Sequence, residues 1–114
     1  MYFEGRELKE FAEPVDPGQL MVGKTYFSLN FVDIELLIPM LEAVVFAGRN
    51  LEKGDEDILY FQDVDSYRSG IRYASGGDAV FQSGPAKQCG HIYEFEHALD
   101  QLLACSLRRN AAGR

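Results

Sequence analysis

The clearest alternation of apolar and polar positions lies in the segment Lys24–Val32. Two sets of side chains follow each other there: Phe27, Leu29 and Phe31 in the apolar set, and Tyr26, Ser28 and Asn30 in the other. Because a pleated strand directs successive side chains to opposite faces, this alternation predicts a β-strand. We expect the apolar set to face a core, and the other set to face water or a partner.

Shorter apolar runs between turn residues predict further strands. These runs are Leu8–Glu13, Ile58–Phe61, Ile71–Ser75 and Asp78–Ser83. Gly76 and Gly77 join the last two runs and predict a hairpin, because glycine tolerates the mirror-image turn. The segments between the runs predict turns and loops: Pro14–Gly18, Arg49–Asp57 and Ser83–Gly90 as loops, and Asp63–Gly70 as a helical turn or loop.

The segment Ile34–Gly48 fits two descriptions. Its apolar residues recur at helical spacing, with Pro39 suited to a first helical turn and Gly48 to a C-terminal cap. Ala43–Phe46, however, contains branched and aromatic side chains, which favour a pleated strand. We choose a connecting segment up to the proline and a strand over Met40–Ala47, with a helix as the alternative.

A C-terminal amphipathic helix is predicted at about 94–110, because apolar residues recur there at three- and four-residue steps. These residues are Phe95, Ala98, Leu99, Leu102, Leu103 and Leu107. The strands must bury their apolar face, so we predict an α+β, mainly β fold. About five short antiparallel strands form a small open barrel or roll, SH3-like in style, covered by the helix. We expect the 114 residues to form a single domain, strand-rich over residues 1–90, with a frayed tail over 111–114.

Composition and charge narrow the classes of function. The chain has 11 Lys or Arg and 18 Asp or Glu, for a net charge of −7. Phosphate neutralisation requires a surplus of cations, so direct nucleic-acid binding is not expected. The densest apolar stretch, Val32–Ala47, is interrupted by acids and a proline, which argues against a membrane helix. The charged N-terminus does not resemble a secretory signal and Cys89 and Cys105 fit reduced thiols, so we predict a cytoplasmic protein.

The charge is uneven along the chain. Residues 1–66 carry 14 acids and 5 bases, whereas residues 67–114 carry 4 acids and 6 bases. Such a distribution fits two differently solvated faces, or an acidic surface that steers a basic partner. Tyrosine is enriched at interfaces, so we predict an interaction surface that combines both features. Its residues are Tyr26, Asp55, Glu56, Asp57, Asp63, Asp65 and Tyr67.

Two groups of residues resemble metal sites only in part. Asp63 and Asp65 begin like a calcium loop, but Tyr67 and the residues after it do not match the positions that wrap the ion. Four zinc-ligand types occur near the C-terminus, without the two close pairs typical of a structural zinc site: Cys89, His91, His97 and Cys105. We therefore predict neither a metal nor another cofactor.

Signals of catalysis are weak. Cys89, Ser75 or Ser83 beside His91 is a conceivable nucleophile and base, but no nucleophile-elbow pattern occurs. A pocket between sheet and helix is a second hypothesis, with Arg72, Cys89 and His91 as its polar groups. Whether the chain is an enzyme stays uncertain, with the weight of the evidence against it.

The most favoured function is a small non-catalytic protein-interaction module or a self-associating subunit. The partner is then another protein or a second copy in a homodimer, met by the acidic, tyrosine-bearing surface. Two alternatives stay open. One is a small-molecule binder or small enzyme, and the other is an acidic mimic of nucleic acid that occupies a basic groove.

Overall fold

A computed structural model describes residues 13–75 and 81–113, and it contains one five-stranded antiparallel sheet in the order β4-β3-β2-β1-β5. The strands are β1 (Thr25–Phe31), β2 (Pro39–Arg49), β3 (Ile58–Asp63), β4 (Phe81–Pro85) and β5 (Ile92–Tyr93). The helices are α1 (Val64–Arg68) and α2 (Phe95–Ala111), with short 3-10 turns at Pro17–Gln19, Tyr73–Ser75 and Ala86–Gln88. Within the described residues β4 and β5 are two separate outer strands, so the sheet is open. This confirms the predicted mainly β α+β class and its C-terminal helix.

The segment that fitted both a helix and a strand is a strand. β2 pairs with β1 over its first seven residues, from Phe31↔Pro39 to Thr25↔Val45. It then pairs with β3 from Val44 to Arg49, with a bulge between Phe46 and Gly48. Hydrogen bonds to two neighbouring strands outweigh the helical spacing of the same apolar residues, because tertiary context overrides intrinsic propensity.

Both faces of β1 are buried over Tyr26–Leu29, which corrects the expectation that Tyr26 and Ser28 face water or a partner, whereas Asn30 of the same set is exposed. One face packs Leu29 against Tyr93 and Ala98 beneath α2. The other face holds Tyr26 in the larger cluster, whose remaining members are Val44, Phe46, Leu59, Phe61, Ala86, Cys89 and Ile92. The cause is topological: β4 and β5 lie at opposite edges of the sheet, so the chain that connects them must cross one face, and Ala86 and Cys89 of that connection pack on this one.

The strand predicted over Ile71–Ser75 is wrong. That segment instead crosses β3, where the Ile71 carbonyl accepts a hydrogen bond from Gln62 Nε2 at 2.9 Å. The Tyr73 ring lies between Tyr60 and Phe81, with ring centroids 5.3 Å from each. β5, which the sequence did not predict, is a two-residue strand inside a segment assigned to no element. The strand positions 8–12 and 78–80 and the Gly76-Gly77 turn lie outside the described residues.

The helix α2 lies along β1 and β5, and only a narrow line of its predicted apolar stripe is buried. Ala98 is buried and Leu102 packs on the smaller cluster, whereas Leu103 and Leu107 are exposed. Phe95, expected in the core, is 60 % exposed. It covers the edge of Phe27 in a T-shaped contact, with centroids 5.5 Å apart.

None of the helices within residues 13–75 and 81–113 is both long and apolar enough to cross a bilayer.

Candidate interaction surface

One residue predicted for the acidic, tyrosine-bearing surface is buried, and the others lie in two groups at opposite ends of β3. Tyr26 is completely buried, and its hydroxyl oxygen accepts a hydrogen bond from the Met21 amide at 2.9 Å. Asp55 and Asp57 lie in the loop before β3, whereas Asp63 ends that strand. The six residues of β3 separate these positions by about 20 Å.

The loop between β2 and β3 uses its acids internally. The Asp55 carboxylate accepts hydrogen bonds from the Glu52 amide at 3.0 Å and from the Tyr60 hydroxyl at 2.5 Å. Asp57 forms an ion pair with Arg49, with 2.6 Å between nitrogen and oxygen. Glu56 is exposed and stands apart from these contacts. These bonds order the loop and engage two of its four acids, Asp55 and Asp57, within the chain itself.

The acids at the other end of β3 belong to α1. The Asp63 carboxylate caps this helix by accepting from the Ser66 amide at 2.9 Å, as the preference for Asp at helix N-termini explains. Asp65 is exposed in the first turn. The Tyr67 ring is covered by the Arg72 guanidinium, whose central carbon is 3.7 Å from the ring centroid. Asp63 and Asp65 therefore lie at the start of a helix, Asp63 as its cap and Asp65 in its first turn.

The three polar residues predicted for a pocket are divided as well. Cys89 and His91 line one cavity of about 120 Å³, together with Ser83 and the apolar floor of Leu59 and Phe61. Arg72 lies elsewhere, against Tyr67. Burial raises the pKa of the Cys89 thiol, and a protonated thiol is a poor nucleophile. Ligand pockets typically enclose about 300–1,000 Å³, so this cavity is small for an organic substrate.

The four zinc-type residues are not assembled either. Both cysteines are free thiols, and Cys105 Sγ lies 3.5 Å from the Leu36 carbonyl rather than near Cys89. His97 Nδ1 is 3.0 Å from the Glu13 carbonyl. Among residues 13–75 and 81–113, no three His, Cys, Asp or Glu side chains are grouped so that they could hold a metal ion.

Among residues 13–75 and 81–113, the segment richest in exposed large apolar side chains lies where the sequence did not place a site, around the turn of the β1–β2 hairpin. We call residues 32–43 the hairpin arm. Its exposed large apolar residues are Val32, Ile34, Leu36, Ile38, Met40 and Leu41. Ile34 is 99 % exposed and Met40 61 %. Because successive side chains of a strand point to opposite faces, Met40 and Leu41 expose apolar surface on both faces of the arm. Exposed apolar surface of this kind is a feature of interaction sites in soluble proteins.

The arm also carries an open sheet edge. β2 has 11 residues and β3 only 6, and their pairing stops at Val44↔Asp63. The chain then enters α1, so Pro39–Ala43 has β1 on one side and no strand among the described residues on the other. Unpaired N–H and C=O groups on such an edge are a template for another strand.

The arm is ordered although it is exposed. The Asp33 carboxylate accepts from the Leu37 amide at 3.0 Å and the Ile38 amide at 2.9 Å. Leu36 has φ of +61°, a conformation uncommon for a residue with a side chain. Its carbonyl accepts from Arg108 Nε at 3.0 Å. A connection fixed by its own carboxylate and by α2 is a preformed surface rather than a loose loop.

One titration tests the geometry of the acidic loop. The hydrogen bond to Asp55, followed by burial, raises the pKa of Tyr60 to about 12. The pKa of a tyrosine in the unfolded chain is about 10. The Tyr60 hydrogen bond therefore stabilises the folded state fully below pH 10, and this stabilisation is lost as the pH rises towards 12. We expect one tyrosine to ionise near pH 12, measured by phenolate absorbance, and this step to be absent in Tyr60→Phe.

Asp55→Asn should move the same step towards pH 10, because the charge that opposes ionisation is removed. Asp57→Asn is the matched control, since Asp57 pairs with Arg49 instead. A Tyr60 step that stays near pH 12 in Asp55→Asn would contradict the assigned bond.

Comparison with protein-family models, with curated protein sequences and with solved structures finds no match to this chain.

Proposed function

We propose that the chain is a non-catalytic interaction module that binds a protein partner through the hairpin arm. The observation that carries the proposal is the arm itself: six large apolar side chains exposed within ten residues of sequence, beside an unpaired strand edge. The function class is the one that the sequence favours. The surface is different, because apolar side chains and open backbone replace acids and tyrosines as the contact.

The physical argument is the cost of keeping such a surface in water. Burying one large aliphatic side chain yields about 1.5–3 kcal/mol, and the preformed arm loses little conformational freedom when it binds. Natural proteins blunt open edges with charges, prolines or bulges. The edge Pro39–Ala43 has one proline and one charge, Glu42, next to Met40 and Leu41. A partner that supplies a strand and apolar contacts would satisfy both features together.

The distribution of charge supports a protein partner over a nucleic acid. The chain contains no Lys or Arg between Thr25 and Gly48, whereas Asp33, Glu35 and Glu42 lie within the arm. A phosphate backbone would be repelled there. Arg108 and Arg109 lie beside the turn of the arm, but both donate hydrogen bonds to its carbonyls, those of Leu36 and Leu37.

The experiment is purification of the chain from its native host, with the size and composition of the complex measured by light scattering and mass spectrometry. The wild type is compared with the double variant Ile34→Asp/Met40→Asp. We expect the variant to bind its partner at least about 100-fold more weakly, because two apolar contacts are replaced by charges that would lose water.

The matched control is Glu56→Gln/Asp65→Asn, which changes two exposed acids of the acidic, tyrosine-bearing surface. This variant should retain the partner of the wild type. If it loses that partner while the Ile34→Asp/Met40→Asp variant keeps it, the contact is the acidic surface and the proposal for the arm is refuted.

A further inference from the structure

We propose that a cavity beside α1 binds a small aromatic carboxylic acid whose ring carries an N–H or O–H donor close to the carboxylate. The cavity encloses about 290 Å³ and is lined by residues of β2, β3, α1 and the segment 72–74. This volume is near the lower end of the range for small-molecule sites, about 300–1,000 Å³. The site goes beyond the proposed function, because the described residues that line it all lie outside the hairpin arm.

The lining of the cavity is mostly apolar. Tyr67 and Tyr73 contribute to it together with the aliphatic residues Leu51 and Ala74. Small-molecule sites typically combine such an apolar and aromatic wall with a few polar groups that orient the ligand. Aromatic rings bury a large area and make favourable stacked or edge contacts with other rings. A flat aromatic ligand therefore matches the chemistry of the wall.

The buried polar group of the cavity is the Gln62 amide, since this residue is only 2 % exposed. Its nitrogen donates to Ser66 Oγ at 3.0 Å and to the Ile71 carbonyl at 2.9 Å. Because a carbonyl only accepts, the bond to Ile71 fixes which end of the amide is the nitrogen. In the part of the chain that the structure describes, Gln62 Oε1 accepts no hydrogen bond. A buried acceptor without a partner is unfavourable, so the N–H or O–H of a ligand would be bound there.

Arg72 gives the cavity a positive charge. It is the only charged residue among the described residues that line the cavity. Its guanidinium lies over the Tyr67 ring, 3.7 Å from the ring centroid, and its Nη1 donates to the carbonyl of Tyr67 at 2.9 Å. The guanidinium is therefore held at the wall of the cavity. Guanidinium groups recognise carboxylates strongly and in a defined geometry, so this site favours an anionic ligand over a neutral or cationic one.

The amide and the guanidinium are neighbours because both donate to the same oxygen. Gln62 Nε2 and Arg72 Nη1 each lie 2.9 Å from the Ile71 carbonyl oxygen, so the two nitrogens are at most about 6 Å apart. A ligand that contacts both residues must carry its donor and its carboxylate close together. Indole-2-carboxylate has the N–H beside the carbon that bears the carboxylate, whereas indole-5-carboxylate has the two groups on different rings.

The first test compares four ligands on the wild-type protein. The chain contains no tryptophan, so the fluorescence of an indole ring reports the ligand alone. We expect indole-2-carboxylate to bind with a dissociation constant of about 0.1 mM, as suits a ligand of this size. Three analogues should each bind about 10-fold more weakly: indole, which lacks the carboxylate, 1-methylindole-2-carboxylate, which lacks the N–H, and indole-5-carboxylate, which separates the two groups.

The second test changes the cavity without replacing its buried amide. Arg72→Gln should weaken the binding of indole-2-carboxylate about 10-fold and leave that of indole unchanged, because only the former is charged. Arg68→Gln, in α1 but outside the cavity lining, is the matched control and should bind as the wild type. Ala74→Leu fills part of the cavity from an exposed position and should weaken both ligands, whereas Ala74→Ser should not. In the wild type, the NMR signals of the Gln62 side-chain amide should shift with indole-2-carboxylate.

No binding of indole-2-carboxylate at about 1 mM, ten times the expected dissociation constant, overturns the assignment of this site. Equal binding of indole-2-carboxylate and indole-5-carboxylate overturns it as well, because the spacing of the amide and the guanidinium then selects nothing. Binding that both Arg72→Gln and Ala74→Leu leave unchanged places the ligand elsewhere, with the same consequence. Ile34→Asp/Met40→Asp should bind the ligand as the wild type does, so the result is independent of the partner of the hairpin arm.

Discussion

Tyr26→Ala is expected to lower the free energy of unfolding by about 3–5 kcal/mol, the range for removing a large buried aromatic side chain. Tyr26 is completely buried in the larger core cluster, between the face of β1 and the connection from β4 to β5. Its removal leaves a cavity in contact with Val44 and Ile92 that the paired strands of the sheet cannot close. The measurement is urea denaturation followed by circular dichroism.

Tyr26→Phe is the matched control. It keeps the ring and removes only the oxygen that accepts from the Met21 amide at 2.9 Å. We expect the free energy of unfolding to fall by about 1 kcal/mol, the usual contribution of one hydrogen bond. If alanine at this position costs less than about 0.5 kcal/mol, Tyr26 behaves as a surface residue. The alternation in the sequence would then have indicated its environment correctly.

This residue shows how far the sequence determines the fold. The alternation in Lys24–Val32 identifies a strand, because the period of two is a local property of the backbone. It does not tell whether the second face is covered, since that depends on a connection more than fifty residues away in the chain. The chain crosses that face only because β4 and β5 lie at opposite edges, and strand order is a non-local property.

The difference between local and non-local properties also explains which of the other predicted elements the structure contains. The helix α2 was predicted from its local periodicity, and its observed bounds, Phe95–Ala111, differ by about one residue at each end. Ile71–Ser75 has strand-like composition, but the contacts of Tyr73 with Tyr60 and Phe81 determine its path. β5 has only two residues, too few for any periodicity to be visible.

The hairpin arm could be predicted only in part. Its apolar residues are evident in the sequence, and Met40 and Leu41 were placed on a strand. An apolar run predicts burial, however, and nothing local indicates that β3 is five residues shorter than β2. The acids, in contrast, form a dense cluster of charge in the sequence. The structure shows that Asp55, Asp57 and Asp63 mostly serve their own loops and helix.

Asp33→Ala is expected to have the second largest effect. It should lower the stability of the hairpin arm against local opening by about 2–4 kcal/mol. The carboxylate accepts from the amides of Leu37 and Ile38, and hydrogen bonds to a charged group contribute about 1.5–3 kcal/mol each. Leu37 is buried, so its amide would have no water to replace the lost acceptor. The turn that holds Leu36 at positive φ then opens, while the core cluster around Tyr26 keeps its contacts.

Asp33→Asn separates this role from the charge itself. One Asp33 oxygen, Oδ1, accepts from both amides at 3.0 Å and 2.9 Å, and an asparagine carbonyl can occupy the same position. We expect the asparagine variant to lose less than about 1 kcal/mol. Hydrogen exchange should show fast exchange of the Leu37 and Ile38 amides in Asp33→Ala, slow exchange in Asp33→Asn, and unchanged protection in β3. Equally slow exchange in all three proteins would mean that Asp33 does not hold the arm. Because the arm presents the open edge of β2, weaker association of Asp33→Ala alone would connect the order of this turn to the binding of a partner strand.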